Sequence, residues 1–402
     1  MKVRLGRLAA GLGLSLIAAG AGVVVAVTTP WSSPAEEVFD TANEPAVADL
    51  DYGANSRLEP ASADPDVEFP SVLSELPNPP THLAVNPDGD LWFLMFTYDG
   101  TANDLYRFSA EKGTLESQAI PASTGSELYS DIAVDSRGHV ISAEGNVVLD
   151  IDPGGGYKAL PLPAPVNVTI QSGREGTYVI DMALSRDDKA YLTRMNTAAI
   201  TELNIRTGET REIPVPVELG QFYYIALAGD DIWMTTWADT EQVPTQTAVL
   251  SLANGEVQGV STKSVAFGAD QHGRVYASTQ GGSGLMWADS KGATQVSVPG
   301  SARSLSGLLD FIVVDDERGR VWTAGGEGIT SRDVSSGKTD HYILPIIDNA
   351  VPIHIPSSCL GVKCDFTPKT EITHVGGIAV APNGDVYFSD KGYNRIGVIH
   401  PR

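Results

Sequence analysis

Two histidines, four aspartates and two glutamates stand at matching points of a recurring pattern in this 402-residue chain. His82, Asp131, Asp181, Tyr224, Ser264, Asp310 and, beside a double glycine, His374 each lie at the start of a short apolar run. Glu144, Arg194, Trp237, Gln280, Glu327, Asp390 and Lys391 follow the next run along. Carboxylates gathered in one place suit a hard cation such as calcium, which takes several oxygen ligands. A histidine beside them suits proton transfer. Asp131, Asp181 and Asp310 are therefore the candidate metal ligands. His82, His374, Glu144 and Glu327 are the candidate acid–base groups, and Arg194, Trp237, Tyr224 and Asp390 the candidate ligand contacts. Two other readings stay open. Aspartate at a strand start also caps turns and touches solvent, and a polar pocket can work without a metal.

The elements that position these residues are strands. The runs read LAVNPDGDLWFL from Leu83, IAVDSRGHVISA from Ile132, MALSRDDKAYLT from Met182 and IALAGDDIWMTT from Ile225. VAFGADQHGRVYAS from Val265, IVVDDERGRVWTA from Ile312 and IAVAPNGDVYFS from Ile378 complete the set. Each is a β-branched or aromatic run, a polar turn and a second such run, which is the signature of paired strands. Segments such as DLYRFSAEKGTLESQAIP and ITELNIRTGETREIPVP supply two more strands per unit. The markers Trp92, Ile141, Tyr191, Trp233, Tyr276, Trp322 and Tyr387 are spaced 42 to 65 residues apart, a propeller-blade period.

The pattern predicts an all-β fold, a seven-bladed β-propeller over residues 66–402. The last unit has only three strands, so the run DVEFPSVLSELP from Asp66 is expected to add the fourth and close the ring. Val67 to Leu73 is that strand, and Pro70 within it requires an edge position. In such a ring the innermost strand starts and the loops after the second strands share one face. The candidate residues would then encircle one mouth of the central channel.

Lys2, Arg4 and Arg7 precede an uncharged run, so residues 1–27 read as a signal peptide or an uncleaved signal anchor. Residues 28–65 form an acidic linker rich in Pro and Ala. The ring is thus expected outside the cytoplasm, secreted or anchored by that segment, with no other membrane contact. Cys359 and Cys364 lie in an insertion at 346–373. In an exported protein they are expected to form a disulfide, with a free pair or half of a metal site as the alternatives.

A net charge of -23 argues against nucleic acid as a partner and against binding anionic lipid through a basic patch. No P-loop, G-x-S-x-G or HExxH is present. GIAVAPNGDVYFSDKGYNRIGVI closely resembles an NHL-type repeat, and the other six copies resemble it more loosely. The resemblance extends to the gluconolactonase-like and virginiamycin B lyase-like propellers, which are enzymes, and to NHL modules, which bind. It implies the blade, whereas activity depends on the site. Neither the lactonase ligand set nor the lyase's His and Glu pattern recurs here residue by residue. The expected function is a binding or scaffold module presenting its channel face to a protein, peptide, glycan or small molecule. The alternative is a metal-assisted hydrolase or lyase using calcium at the acidic mouth.

Overall fold

The computed structural model describes residues 64–95, 104–118, 130–164, 177–237, 247–260, 264–270, 272–279, 284–289, 292–297, 311–325, 328–344, 375–391 and 393–401. The candidate leader, the linker to residue 63 and the cysteine insertion lie outside them. Among the described residues no helix is long and apolar enough to cross a membrane.

The architecture is that of an all-β propeller. Six four-stranded antiparallel sheets are each built from strands consecutive in sequence. Their innermost strands are Pro80–Val85, Ser130–Val134, Val179–Leu184, Gln221–Ala228, Ser264–Ala269 and Phe311–Asp315, and define sheets one to six. A further sheet is composite. It takes Val375–Val380, Val386–Asp390 and Arg395–Ile399 from the end of the chain and adds Val67–Glu68 from before sheet one.

That outer strand is shorter than the sequence suggested. Only Val67 and Glu68 pair, opposite Ile399 and Val398. Pro70 then fixes its own φ and has no N–H to extend the ladder. Ser71–Leu73 turns into a 3-10 helix, where Leu73 is fully buried instead of lying on a strand.

Residue types follow distance from the axis. The second strand of sheet one, LWFLM over Leu91–Met95, is buried throughout. The outermost strand of the same sheet, TLESQ over Thr114–Gln118, has no buried residue. A strand covered on both faces must be apolar throughout, whereas an outer edge need not be. The turn between the first and second strands has its own chemistry. A side-chain oxygen at its first residue accepts the N–H four residues on: Asn86 from Asp90 (2.8 Å), Asp135 from His139 (3.0 Å), Ser185 from Lys189 (3.0 Å) and Asp270 from Arg274 (2.8 Å). Short polar side chains close turns in this way.

Apolar clusters fill the spaces between neighbouring sheets. Trp92, Leu94 and Leu105 of sheet one meet Ile132, Val140 and Ile151 of sheet two. Ile200 and Ile213 of sheet three meet Ile225, Ile232 and Met234 of sheet four. Leu91, Phe93 and Met95 of sheet one also meet Tyr387, Ile396 and Val398 of the composite sheet, with Leu73 and Leu76 beside them. Each fully buried Leu or Phe contributes roughly 1.5–3 kcal/mol. The sheets therefore stabilise one another by stacking rather than standing alone.

Candidate functional site

The innermost strands start at one end of the channel, and several are bulged there. Register shifts fall between Thr81 and Leu83, Val179 and Asp181, Phe222 and Ile225, and Val375 and Gly377. A bulge inserts a residue and re-aims its side chain. At the first of these, His82 has φ +44, a conformation that strains a residue with a Cβ.

The structure joins His82, Asp131 and Asp181 across three adjacent sheets. The His82 side chain is 39% exposed, and its Nδ1 lies 3.4 Å from Asp131 Oδ1. Asp131 Oδ1 also accepts the Ile132 N–H at 2.8 Å. Asp181 accepts two backbone N–H groups, Met182 at Oδ1 (2.9 Å) and Ile225 at Oδ2 (2.8 Å). Its carboxyl is hydrogen-bonded to Asp131. Burial pushes the Asp181 pKa well above the usual carboxylate range, and the negative charge of Asp131 pushes the same way. The two backbone N–H groups oppose that rise without cancelling it. The rise favours the protonated form of the Asp181 carboxyl, as burial beside another carboxylate does.

Both Asp181 oxygens accept backbone N–H groups, and calcium, which takes six to eight oxygens, would need ligands beyond Asp131 and Asp181. The third candidate ligand, Asp310, lies outside the described residues. So do His374, Glu327, Cys359 and Cys364. Glu144 and Trp237 end the second strands of sheets two and four, opposite Ser130 and Gln221. Their side chains are outside the described residues. Tyr224 is 41% exposed beside Ile225.

Arg194 and Asp390 sit differently from expectation. Arg194 was expected to face the mouth, but it is buried between sheets two and three. Its guanidinium donates to Asn146 Oδ1 (3.2 Å) and to the Pro163 carbonyl (2.9 Å), with Glu212 at 3.6 Å. Burial lowers its pKa, which the Glu212 charge partly offsets. Asp390 is fully buried against Arg395 at 2.8 Å. Arg395 in turn lies 3.8 Å from the centre of the Phe69 ring. Both side chains serve packing between parts of the chain rather than an open surface.

At the opposite end of the same strands the charges are matched. Arg137 bridges Asp135 (2.5 Å) and Asp150 (3.0 Å), and His139 Nδ1 lies 2.7 Å from Asp150. Asp135, His139 and Asp150 bring three ligand atoms within 4.8 Å of one another. The guanidinium already bound to both carboxylates leaves little room for a metal charge. Asp188 accepts from Ser136 Oγ (2.9 Å) in the neighbouring sheet and also pairs with Arg206. Composition gave no hint of this network; the polar residues four apart in each turn were its only trace. A cavity of about 300 Å³ opens between sheets three and four at this end, lined in part by Asp187, Lys189, Tyr191, Glu202 and Arg211. Its charges are internally paired, Lys189 with Asp187 (3.2 Å) and Arg211 with Glu202 (2.5 Å).

Sheet topology and inter-sheet packing define a β-propeller. No family model and no curated protein matches the chain. Among solved structures, the chain is similar to a streptogramin B lyase at 16% identity and a TM-score of 0.59, covering 83% of this chain and 97% of that one. A catalytically inactive histidine-to-alanine virginiamycin B lyase from Staphylococcus aureus, solved with quinupristin, gives 15% identity and 0.57, covering 84% and 99%. The extracellular domain of a putative hybrid two-component system from B. thetaiotaomicron gives 13% and 0.53, covering 84% of this chain and 41% of that one. The fold is a virginiamycin B lyase-like β-propeller. At these identities the likeness is one of fold.

Proposed function

We propose that the protein is an exported seven-bladed propeller that binds a polar guest at the channel mouth, at the cell envelope or outside the cell. One observation carries the reading: His82, Asp131 and Asp181 form a linked polar chain across three innermost strands, with exposed Tyr224 alongside. The composite sheet is the closing blade. Its pairing of Val67 with Ile399, and the apolar cluster it shares with sheet one, support closure. The candidate leader supports export, and the similarity to the extracellular domain of a hybrid two-component system points the same way. The guest is a small molecule, peptide, glycan or protein surface with hydrogen-bonding groups. Cys359 and Cys364 are expected to be bonded in the exported form.

A second reading is favoured by the contact between His82 and Asp131. A histidine with a carboxylate at Nδ1 is arranged as a general base with an orienting partner. A lyase or lactonase-like hydrolase would use it so, with calcium at Asp131, Asp181 and Asp310 in the metal-assisted form. Incubation with quinupristin separates the two. The binding reading expects the compound to stay intact by chromatography. Turnover that disappears in His82→Ala would establish the enzyme instead.

A further inference from the structure

The seam between the two ends of the described chain carries a histidine with acidic groups on both sides. His400 follows the last strand. Its Nδ1 lies 2.8 Å from Asp385 Oδ1 and its Nε2 3.3 Å from Glu68 Oε2. A neutral imidazole has one N–H, so it can donate to only one of these carboxylates. Its other nitrogen would then face an anion with a lone pair. Only the imidazolium donates to both.

The position gives this contact leverage. Glu68 belongs to a two-residue strand, so few ladder bonds hold the N-terminal segment. The His400 N–H donates to the Asp66 carbonyl at 2.9 Å, which fixes the ring beside that strand. Asp385 is held in turn by Asn383, which donates to Oδ2 at 2.8 Å. Other charges border the seam. Asp64 and Asp66 precede the short strand, and Asp64 accepts the Asp66 N–H at 3.1 Å. Arg318 of sheet six donates to the Pro382 carbonyl at 2.6 Å, beside the Asp385 turn.

We propose that His400, as the imidazolium, is a latch fastening the N-terminal segment to the end of the chain, and that deprotonation releases it. This rests on the composite sheet being the closing blade. Burial of the ring works against its charge, but the hydrogen bond and charge of Asp385, followed by those of Glu68, outweigh it and raise the pKa. The folded pKa lies above the unfolded one. The latch is therefore complete below the unfolded histidine pKa of about 6.5 and is lost as pH rises through the folded value. The N-terminal segment would then be the first part of the ring to loosen in alkaline surroundings.

Hydrogen exchange and thermal unfolding of the whole protein at about pH 6 and pH 8.5 test this, against His400→Gln. In the parent, exchange at Val67 and Glu68, corrected for intrinsic rate, should rise several-fold at the higher pH, on the order expected for local opening. His400→Gln should show the fast rate at both pH values. Its midpoint should fall by about 1–3 °C at pH 6 and hardly at all at pH 8.5. Glu68→Gln should remove part of the pH dependence. Equal pH dependence in the parent and His400→Gln overturns the latch. Closure is judged separately, by comparing chains that begin at Ala63 and at Ser74. If those two melt alike, the closing-blade reading itself fails.

Discussion

The two ends of the channel hold similar residues to different effect. At the turn end, carboxylates meet cations: Asp135 and Asp150 share Arg137, Asp188 takes Arg206, and Asp315 takes Arg318. At the mouth, Asp131 and Asp181 meet each other, and the neighbouring histidine stands on a left-handed backbone. Matched charge at turns stabilises sheet-to-sheet packing. A carboxyl pressed by burial against another carboxylate costs stability when ionised, and strained residues that persist cluster where function requires them. The difference separates scaffold from site within a single repeated pattern.

The largest expected effect concerns what holds the ring together. A chain beginning at Ser74 loses Val67–Glu68, Phe69 over Arg395, and the buried Leu73. Its melting temperature should drop steeply relative to a chain beginning at Ala63, because an apolar face and a strand edge are exposed. Next is Asp390→Ala, which strands the buried Arg395 charge. Denaturant unfolding should show a loss of about 3–5 kcal/mol, as for a broken buried ion pair. That result would confirm that Asp390, although at the mouth end, belongs to the scaffold.

At the turn end, Asp188→Ala leaves Ser136 and Arg206 without their acceptor. A loss of about 1–3 kcal/mol is expected by the same measurement. At the mouth, Asp181→Asn keeps one acceptor oxygen where Asp181 offers two, so either the Met182 or the Ile225 N–H loses its partner, and a loss of about 1–3 kcal/mol is expected. The sign of its pH dependence follows from the raised Asp181 pKa. Above the unfolded carboxylate pKa the folded state binds the extra proton, so rising pH works against the parent. The variant's stability relative to the parent should therefore improve as pH rises above about 4, through the folded Asp181 value. Asp188, whose pKa is lowered, should give Asp188→Ala the opposite trend, and the same sign of pH dependence in both variants would erase the contrast between the two ends.

Strands and turns were legible because each repeats a local rule: apolar runs and polar turn residues specify strand pairs without reference to distant sequence. The composite sheet was also legible, through three strands in need of a fourth. The length of that fourth strand was not, because packing of Leu73 against sheet one outweighs strand propensity once Pro70 has broken the ladder. His82, Asp131 and Asp181 were correctly grouped by their shared position at strand starts. Arg194 and Asp390 share the second-strand position but are buried, and burial depends on neighbours that sequence spacing does not reveal. The raised pKa of Asp181 was likewise hidden, because it depends on burial and on the approach of Asp131 from the neighbouring sheet.

The central proposal is that the mouth is a polar binding site that works without a metal. Metal analysis of the purified protein, joined to thermal unfolding with millimolar calcium and with a chelator, tests it most directly. The account predicts no retained divalent metal and the same melting temperature in both conditions. A calcium-dependent rise in melting temperature that Asp131→Asn or Asp181→Asn abolishes would contradict it and make the mouth a cation site.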